Sequence, residues 1–286
     1  MADDSQGDNN SVTPPRCTAD VAGHRVLITG GSSGIGAALA RGFAERGAIV
    51  GICGRREAAL AEVHADLTRH HPDARAWTVD LADLDGVDEF AVRVQDSWGP
   101  IDIVVNNAGI PKRRWTWALD AATAESVMTI NYFSPLRLTL AILPGMIERG
   151  GHVVSISSVA ARLSPPAESA YSASKAALTA FMEGLRVDML VAGHDVGIHT
   201  INPGVIDTPL FTLPDNDESL ADIEALDASA MVEPVLDALR TGRFETWVPD
   251  WFADVAIAKT ADVDGFLSGS AAYARGRLAV TGRTLR

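Results

Sequence analysis

At 286 residues, with 47% hydrophobic and 21% charged residues, the chain is long enough to bury a sizeable core, and disorder as its global state is excluded. A net charge of −13, from 24 Lys plus Arg against 37 Asp plus Glu, repels phosphate backbones and anionic lipid. That disfavours a nucleic-acid partner and leaves any anionic ligand to a few locally placed donors. Only two cysteines are present, Cys17 and Cys53, with neither a disulfide framework nor metal-ligand spacing, so the expectation is no metal and a cytoplasmic location.

Residues 1–23 are acidic, Asn/Ser-rich and Pro-containing, without the apolar core of a signal peptide, and read as a flexible extension ahead of a domain over 24–286. The run RVLIT at 25–29 predicts a strand, 35–46 a helix and 48–53 a second strand. The alternation continues with a helix over 57–69, a strand at 76–79, a helix over 87–98 and a strand at 101–105. A long helix within 121–149, a strand at 152–156, a helix over about 170–191 and a strand at 197–201 follow. The longest apolar stretch, 136–147, contains Arg137 and Pro144 and is too short to cross a bilayer, so no membrane span is expected.

Strands apolar on both faces and separated by helices imply an α/β fold, a doubly wound parallel sheet with helices on both faces in one Rossmann-type domain. The stretch 207–227 breaks the rhythm with Pro209, Pro214, Asp215, Asp217 and Glu218 and reads as a mobile substrate loop or lid. A helix over 234–240 and a strand at 246–248 come next, and then an Ala-rich segment, 250–286, placed only loosely.

Between the first strand and the first helix stands Thr29-Gly30-Gly31-Ser32-Ser33-Gly34-Ile35-Gly36. Gly30, Gly34 and Gly36 permit a tight turn and a close backbone approach, so that a helix N-terminus can receive a pyrophosphate. A tight strand-to-helix turn needs glycine in any case, and the position in the first βα unit is what favours phosphate binding. At the end of the second strand, where NAD sites commonly carry an acidic residue, the chain has Gly54, Arg55 and Arg56. Guanidinium groups there suit a 2′-phosphate, which favours NADP(H) over NAD(H). The alternatives are that both arginines are simply solvated, or that Glu57 reaches a ribose hydroxyl.

Tyr171 and Lys175 stand at i and i+4 at the start of a long helix and so share one of its faces. A free phenol titrates near 10, and an ammonium nearby would bring it toward neutrality. Only three lysines occur against twenty-one arginines, so a lysine at this position is notable.

TGGSSGIG at 29–36, Asp80-Leu81, Asn106-Asn107-Ala108-Gly109, Asn131, Ser157-Ser158, Tyr171 with Lys175, and Asn202-Pro203-Gly204 resemble in order and spacing the short-chain dehydrogenase/reductase family, over about 24–210. The resemblance implies an oxidoreductase moving a hydride between nicotinamide and the carbon of a carbonyl or alcohol, a small-molecule substrate, and a homo-oligomer. It gives Ser158, more than Ser157, the role of bonding the substrate oxygen and Tyr171 that of exchanging its proton. Lys175 would hold the nicotinamide ribose and lower the Tyr171 pKa, and Asn131 would position a relay water. By the same resemblance the dinucleotide would meet Gly30, Ser32, Ser33, Gly34, Ile35, Gly36, Asp80, Leu81, Asn107, Ala108, Gly109, Pro203, Gly204, Val205, Ile206 and Thr208. The family's usual C-terminal ending is not recognisable here. Rival readings are an NAD-dependent alcohol dehydrogenase of the same fold and a binding-only NADP sensor.

His64, His70 and His71 read as solvated, and so does the basic turn Lys112-Arg113-Arg114. Trp115, Trp117, Phe211, Trp247, Trp251 and Phe252 lie in segments able to surround an apolar substrate, though each also suits core packing.

Overall fold

The computed structural model describes residues 20–282 apart from 214 and 218. Cys17, with the rest of 1–19, and Pro214, Glu218 and the last four residues lie outside the described residues, as do the side chains of Phe211 and Thr212. Ordered packing begins ahead of residue 24: Val21 is buried in the core, and the Gly23 N–H donates to the Gly47 carbonyl at 2.8 Å.

Seven strands, β1 (Arg25–Thr29), β2 (Ile49–Gly54), β3 (Arg75–Thr78), β4 (Ile103–Asn106), β5 (Gly151–Ile156), β6 (Val196–Pro203) and β7 (Glu245–Val248), form one sheet. Their order is β3-β2-β1-β4-β5-β6-β7 and every pairing is parallel. The cause is visible in β1, where Val26, Leu27 and Ile28 are all fully buried although they point alternately to opposite faces. Val26, Ile28, Val50, Ile52, Val105 and Val154 face a layer made by α1 (Gly34–Ala44), α2 (Glu57–Leu67) and α8 (Val232–Thr241). Leu27, Val104, Val153 and Ile198 face α3 (Leu84–Trp98), α5 (Ser134–Arg149) and α7 (Ser169–Ala192). Each such buried aliphatic side chain contributes about 1.5–3 kcal/mol. The doubly wound sheet expected from the alternation is the observed one.

The strand order reverses between β1 and β4, and ligands of such sheets bind in the crevice beyond the strand ends at that point. Two departures from the expected elements bear on the site. The single helix expected within 121–149 is two, α4 (Ala121–Met128) and α5, joined by a π-helical turn at Thr129–Phe133 that carries Asn131. The loosely placed C-terminal segment forms α9 (Phe252–Ala261) and α10 (Val263–Thr281), the latter capped by Asp262, which accepts from the Gly265 N–H at 2.9 Å. Among the described residues no helix is long and apolar enough to cross a membrane.

Candidate active site

After β1 the chain turns sharply, with Gly30 at φ +68° and Gly34 at φ +52°, both in the left-handed region. Space excludes a side chain at Gly36, whose added Cβ would lie 2.4 Å from the Gly30 carbonyl oxygen and 2.5 Å from Asn107 Nδ2. Asn107 braces the turn by donating from Nδ2 to the Thr29 carbonyl at 2.9 Å, while Thr29 Oγ1 accepts from the N–H groups of Asn107 and Ala108, each at 3.0 Å. Ser33 occupies the N-cap of α1 without a side-chain capping bond, so the first amides of α1 keep their capacity to bind an anion. A cradle closed to Cβ atoms and rimmed by uncapped amides fits a dinucleotide pyrophosphate.

Arg55 and Arg56 follow β2 and border the same cavity, which Glu57, in the first turn of α2, does not. The Arg56 guanidinium reaches back over the glycine-rich turn and donates to the hydroxyls of Ser32, at 2.9 Å, and Ser33. Asp80 and Leu81, beyond β3, line the cavity on that side, and the Asp80 carboxylate accepts from the Ala82 N–H at 3.0 Å. On the other side Pro203, Gly204, Val205, Ile206 and Thr208 leave the end of β6. A Cβ at Gly34 would meet Thr208 Cγ2 at 2.9 Å, which sets how closely this segment approaches the turn.

Tyr171 lies in the first turn of α7, and Lys175 follows one turn later, 4% exposed. Lys175 Nζ sits 5.9 Å from the centroid of the Tyr171 ring and donates to the Ile156 carbonyl at 2.7 Å. Ser158 extends from the end of β5, accepts from the Ala160 N–H at 3.1 Å and lies near enough to the Tyr171 phenol to lower its pKa. Its neighbour Ser157 is turned to Thr179, with 2.8 Å between the hydroxyls. Asn131 is fully buried behind the cavity wall rather than on it. Its Nδ2 donates to the Ile110 carbonyl and to Ser174 Oγ, both at 3.0 Å, and its Oδ1 accepts from the Ile110 N–H at 2.8 Å. A π turn, which shifts the helical hydrogen bonding by one residue, is what aims this amide at Ile110.

Burial raises the Tyr171 pKa above that of a free phenol; the Ser158 hydrogen bond opposes this, the Glu168 carboxylate adds to it and Arg113 opposes it. Lys175 is not among the groups that shift it, so the depression expected from Lys175 is not seen beside the desolvation of the phenolate. Burial also pushes the Lys175 ammonium down to about 8.

The cavity extends well past these groups, with a volume of about 980 Å³. Its wall includes residues that the sequence did not mark: Leu163 of α6 (Ala160–Leu163), Leu220 and Ile223 of the 207–227 loop, and Val255, Phe266 and Tyr273 of α9 and α10. Trp251 and Phe252 join them, whereas Trp115 and Trp117 stack on each other with ring centroids 4.9 Å apart, and Trp247 packs in a small cluster with Phe252. The loop is tied to α10 by Tyr273, whose hydroxyl donates to the Leu220 carbonyl and accepts from the Asp222 N–H, each at 2.9 Å, and by Arg277, paired with Asp222. Tyr273 and Arg277 stand at i and i+4, the one sequence signal that could have found this contact.

The basic turn Lys112-Arg113-Arg114 is not the solvated loop expected. Lys112 and Arg114 both pair with Asp215, and Arg113, 4% exposed, donates from Nε to the Asp217 carbonyl at 2.9 Å. Asp215, gripped by two cations, is held down at about 2. The two segments are opposite in charge and about a hundred residues apart, so their pairing is tertiary and invisible to local patterning.

The family model described as short chain dehydrogenase matches residues 24–218. A dehydrogenase/reductase SDR family protein 7-like of Drosophila melanogaster is 39% identical over 193 residues, which cover 66% of this chain and 59% of that protein. The chain thus spans about three-fifths of the length of the first curated relatives it matches. A short-chain dehydrogenase/reductase of Burkholderia phymatum, solved in complex with NAD, superposes with a TM-score of 0.78 at 23% identity, over 86% of this chain and 96% of that one, a likeness of fold. A short-chain dehydrogenase of Sphingobium yanoikuyae in complex with NADPH gives a TM-score of 0.74 at 26% identity, over 86% and 95%. The match over 24–218, on a sheet and a glycine-rich turn of this geometry, places the chain in the short-chain dehydrogenase/reductase family.

Proposed function

We propose that this chain is an NADP(H)-dependent reductase of carbonyl compounds, converting a ketone or aldehyde to the corresponding alcohol. The observation that carries the reading is the convergence of Ser158, Tyr171 and Lys175 on the cavity that also holds the glycine-rich turn. A bound nicotinamide dinucleotide supplies the hydride.

Ser158 and Tyr171 hold the carbonyl oxygen between two hydroxyls, and Tyr171 delivers the proton that this oxygen needs as the new C–H bond forms. A phenol kept protonated by burial is the form that reduction requires. The Lys175 charge, on the same helical face, then favours the phenolate left behind. Asn131 keeps the segment beside Gly109 in place, since its Oδ1 would lie only 3.1 Å from a Cβ at that glycine. The NADP(H) preference rests on Arg55 and Arg56 at the cavity rim, with Arg56 already bridging to Ser32 and Ser33 and no carboxylate at the same rim position.

Steady-state reduction of a ketone and aldehyde panel with NADPH and with NADH tests the proposal. Turnover with NADPH, at a much lower KM than with NADH, is expected. Equal efficiency with both would favour an NAD-linked dehydrogenase, and no turnover of any carbonyl or alcohol would favour a binding-only protein.

A further inference from the structure

Hydride transfer uses no carboxyl group, yet Glu168 lines the cavity beside Tyr171. Glu168 stands at the N-cap position of α7, three residues ahead of Tyr171. The same cavity wall holds the apolar Leu163, Leu220, Ile223, Phe252 and Phe266, with Ser219, Asp222 and Ser270 among them.

The turn that presents it is fixed from several directions. The Glu168 carbonyl accepts from the Ser172 N–H at 2.7 Å, and the preceding Ala167, at φ +62°, accepts from the Arg114 N–H at 2.6 Å. Thr116 Oγ1 donates to Ser169 Oγ at 2.9 Å. Within this frame no described residue donates a hydrogen bond to the Glu168 carboxyl, while Arg113 is the cation that faces it and Tyr171 the other titratable group. Glu168 is half-buried, and a carboxyl that receives no hydrogen bond in a cleft beside a proton-transferring phenol marks a functional position. Desolvation in the cleft raises its pKa to about 7, against the pull of Arg113.

We propose that Glu168 selects the substrate: its carboxyl receives a hydroxyl or ammonium group carried by the carbonyl compound, while the apolar wall takes the remainder of the molecule. Glu168 and Tyr171 line one cavity, close enough for the carboxylate charge to act on the phenol. A donor a few bonds from the carbonyl carbon can meet the carboxyl while the carbonyl oxygen stays at Tyr171. The preferred class is therefore a hydroxy- or amino-ketone with a lipophilic body. This assignment rests on the carbonyl-reductase reading of the same site.

The test uses ketones of one carbon skeleton in three versions, unsubstituted, β-hydroxylated and β-aminated, with NADPH and with wild type, Glu168→Gln and Glu168→Leu. Wild type should favour both donor-bearing ketones over the plain one by about 10- to 100-fold in kcat/KM, the range of a hydrogen bond to a charged group. Glu168→Gln should keep the preference for the hydroxyl and lose that for the amine, and Glu168→Leu should lose both. NADPH binding, followed by its fluorescence, verifies that each variant is folded. If Glu168→Leu fails to bind NADPH, the isosteric Glu168→Gln decides through its hydroxyl-to-amine ratio. A wild type without preference, or a preference unchanged in the folded variants, overturns the role of Glu168 alone, provided that ketones are reduced in a Tyr171-dependent way. Absence of any ketone reduction overturns the role of Glu168 together with the reductase reading.

Discussion

Lys175 Nζ lies 5.9 Å from the centroid of the Tyr171 ring and is held there by a hydrogen bond to the Ile156 carbonyl rather than by the phenol. The sheet therefore positions this charge independently of Tyr171. Replacing Lys175 by Met, which keeps most of the bulk and removes the charge, should lower kcat/KM for carbonyl reduction by about 10²- to 10³-fold, within the range of general acid–base effects. Because burial brings the Lys175 pKa to about 8, its charge is lost as pH rises through that value. Wild-type kcat/KM should decline above about pH 8, and pH–rate profiles should show that limb missing in Lys175→Met.

The rim arginines are not equivalent. Arg56 bridges to Ser32 and Ser33, whereas Arg55 lines the cavity and bonds neither hydroxyl. Arg56→Ala should weaken NADPH binding by about 10-fold or more, the loss of a charge-assisted contact, with little change for NADH. Arg55→Ala should act in the same direction and the double variant should abolish the preference. Titrations of both dinucleotides that moved in parallel would show that neither arginine reads the 2′-phosphate.

Gly36 and Gly276 make a matched comparison. A methyl group at Gly36 meets the Gly30 carbonyl at 2.4 Å, while at Gly276, on α10, nothing lies within 4 Å. Gly36→Ala should cost about 1–3 kcal/mol, seen in thermal melts as a loss of several degrees, and should weaken dinucleotide binding. Gly276→Ala should leave stability unchanged or raise it by up to ~1 kcal/mol, since alanine is the better helix former.

At the opposite end of the sheet from the cavity, His152 Nδ1 and His199 Nε2 are 2.9 Å apart, both residues buried. Burial, reinforced for His152 by repulsion from His199, brings their pKa values to about 3 and about 4, below the ordinary 6.5. Between those values and 6.5 the unfolded chain binds more protons than the folded one. This contribution to stability is thus complete above about pH 6.5 and is lost as pH falls toward 4 and 3. Melting temperature should drop over that window, and the double variant His152→Gln with His199→Gln should flatten the drop by up to two protons' worth of slope. An unchanged slope would assign acid sensitivity to other groups.

Much of this molecule was legible before its structure. Strands such as Val26-Leu27-Ile28 are apolar on both faces because helices cover both, so their type and order followed from hydrophobic runs alone. Gly30, Gly34, Gly36, Ser158, Tyr171 and Lys175 were legible because turn sterics and helical spacing tie their chemistry to short stretches of chain. The π turn at Asn131 was not, since moving a hydrogen bond by one residue leaves the apolar spacing nearly intact. Nor were α9 and α10, where Phe266 and Tyr273 turn to the cavity while Ile257 and Leu267 remain exposed, which blurs any single apolar face. Glu168 was not legible, and Arg113 reads as solvated from sequence, for one reason: a charge in a turn takes its meaning from segments far away in sequence.

Tyr171→Phe is the most direct probe of the proton-transfer chemistry, because it removes one oxygen atom and leaves the ring packing intact. NADPH binding should be retained while kcat for carbonyl reduction falls by about 10³-fold or more. Near-wild-type turnover with unchanged NADPH affinity would contradict the assignment of Tyr171 as the proton donor.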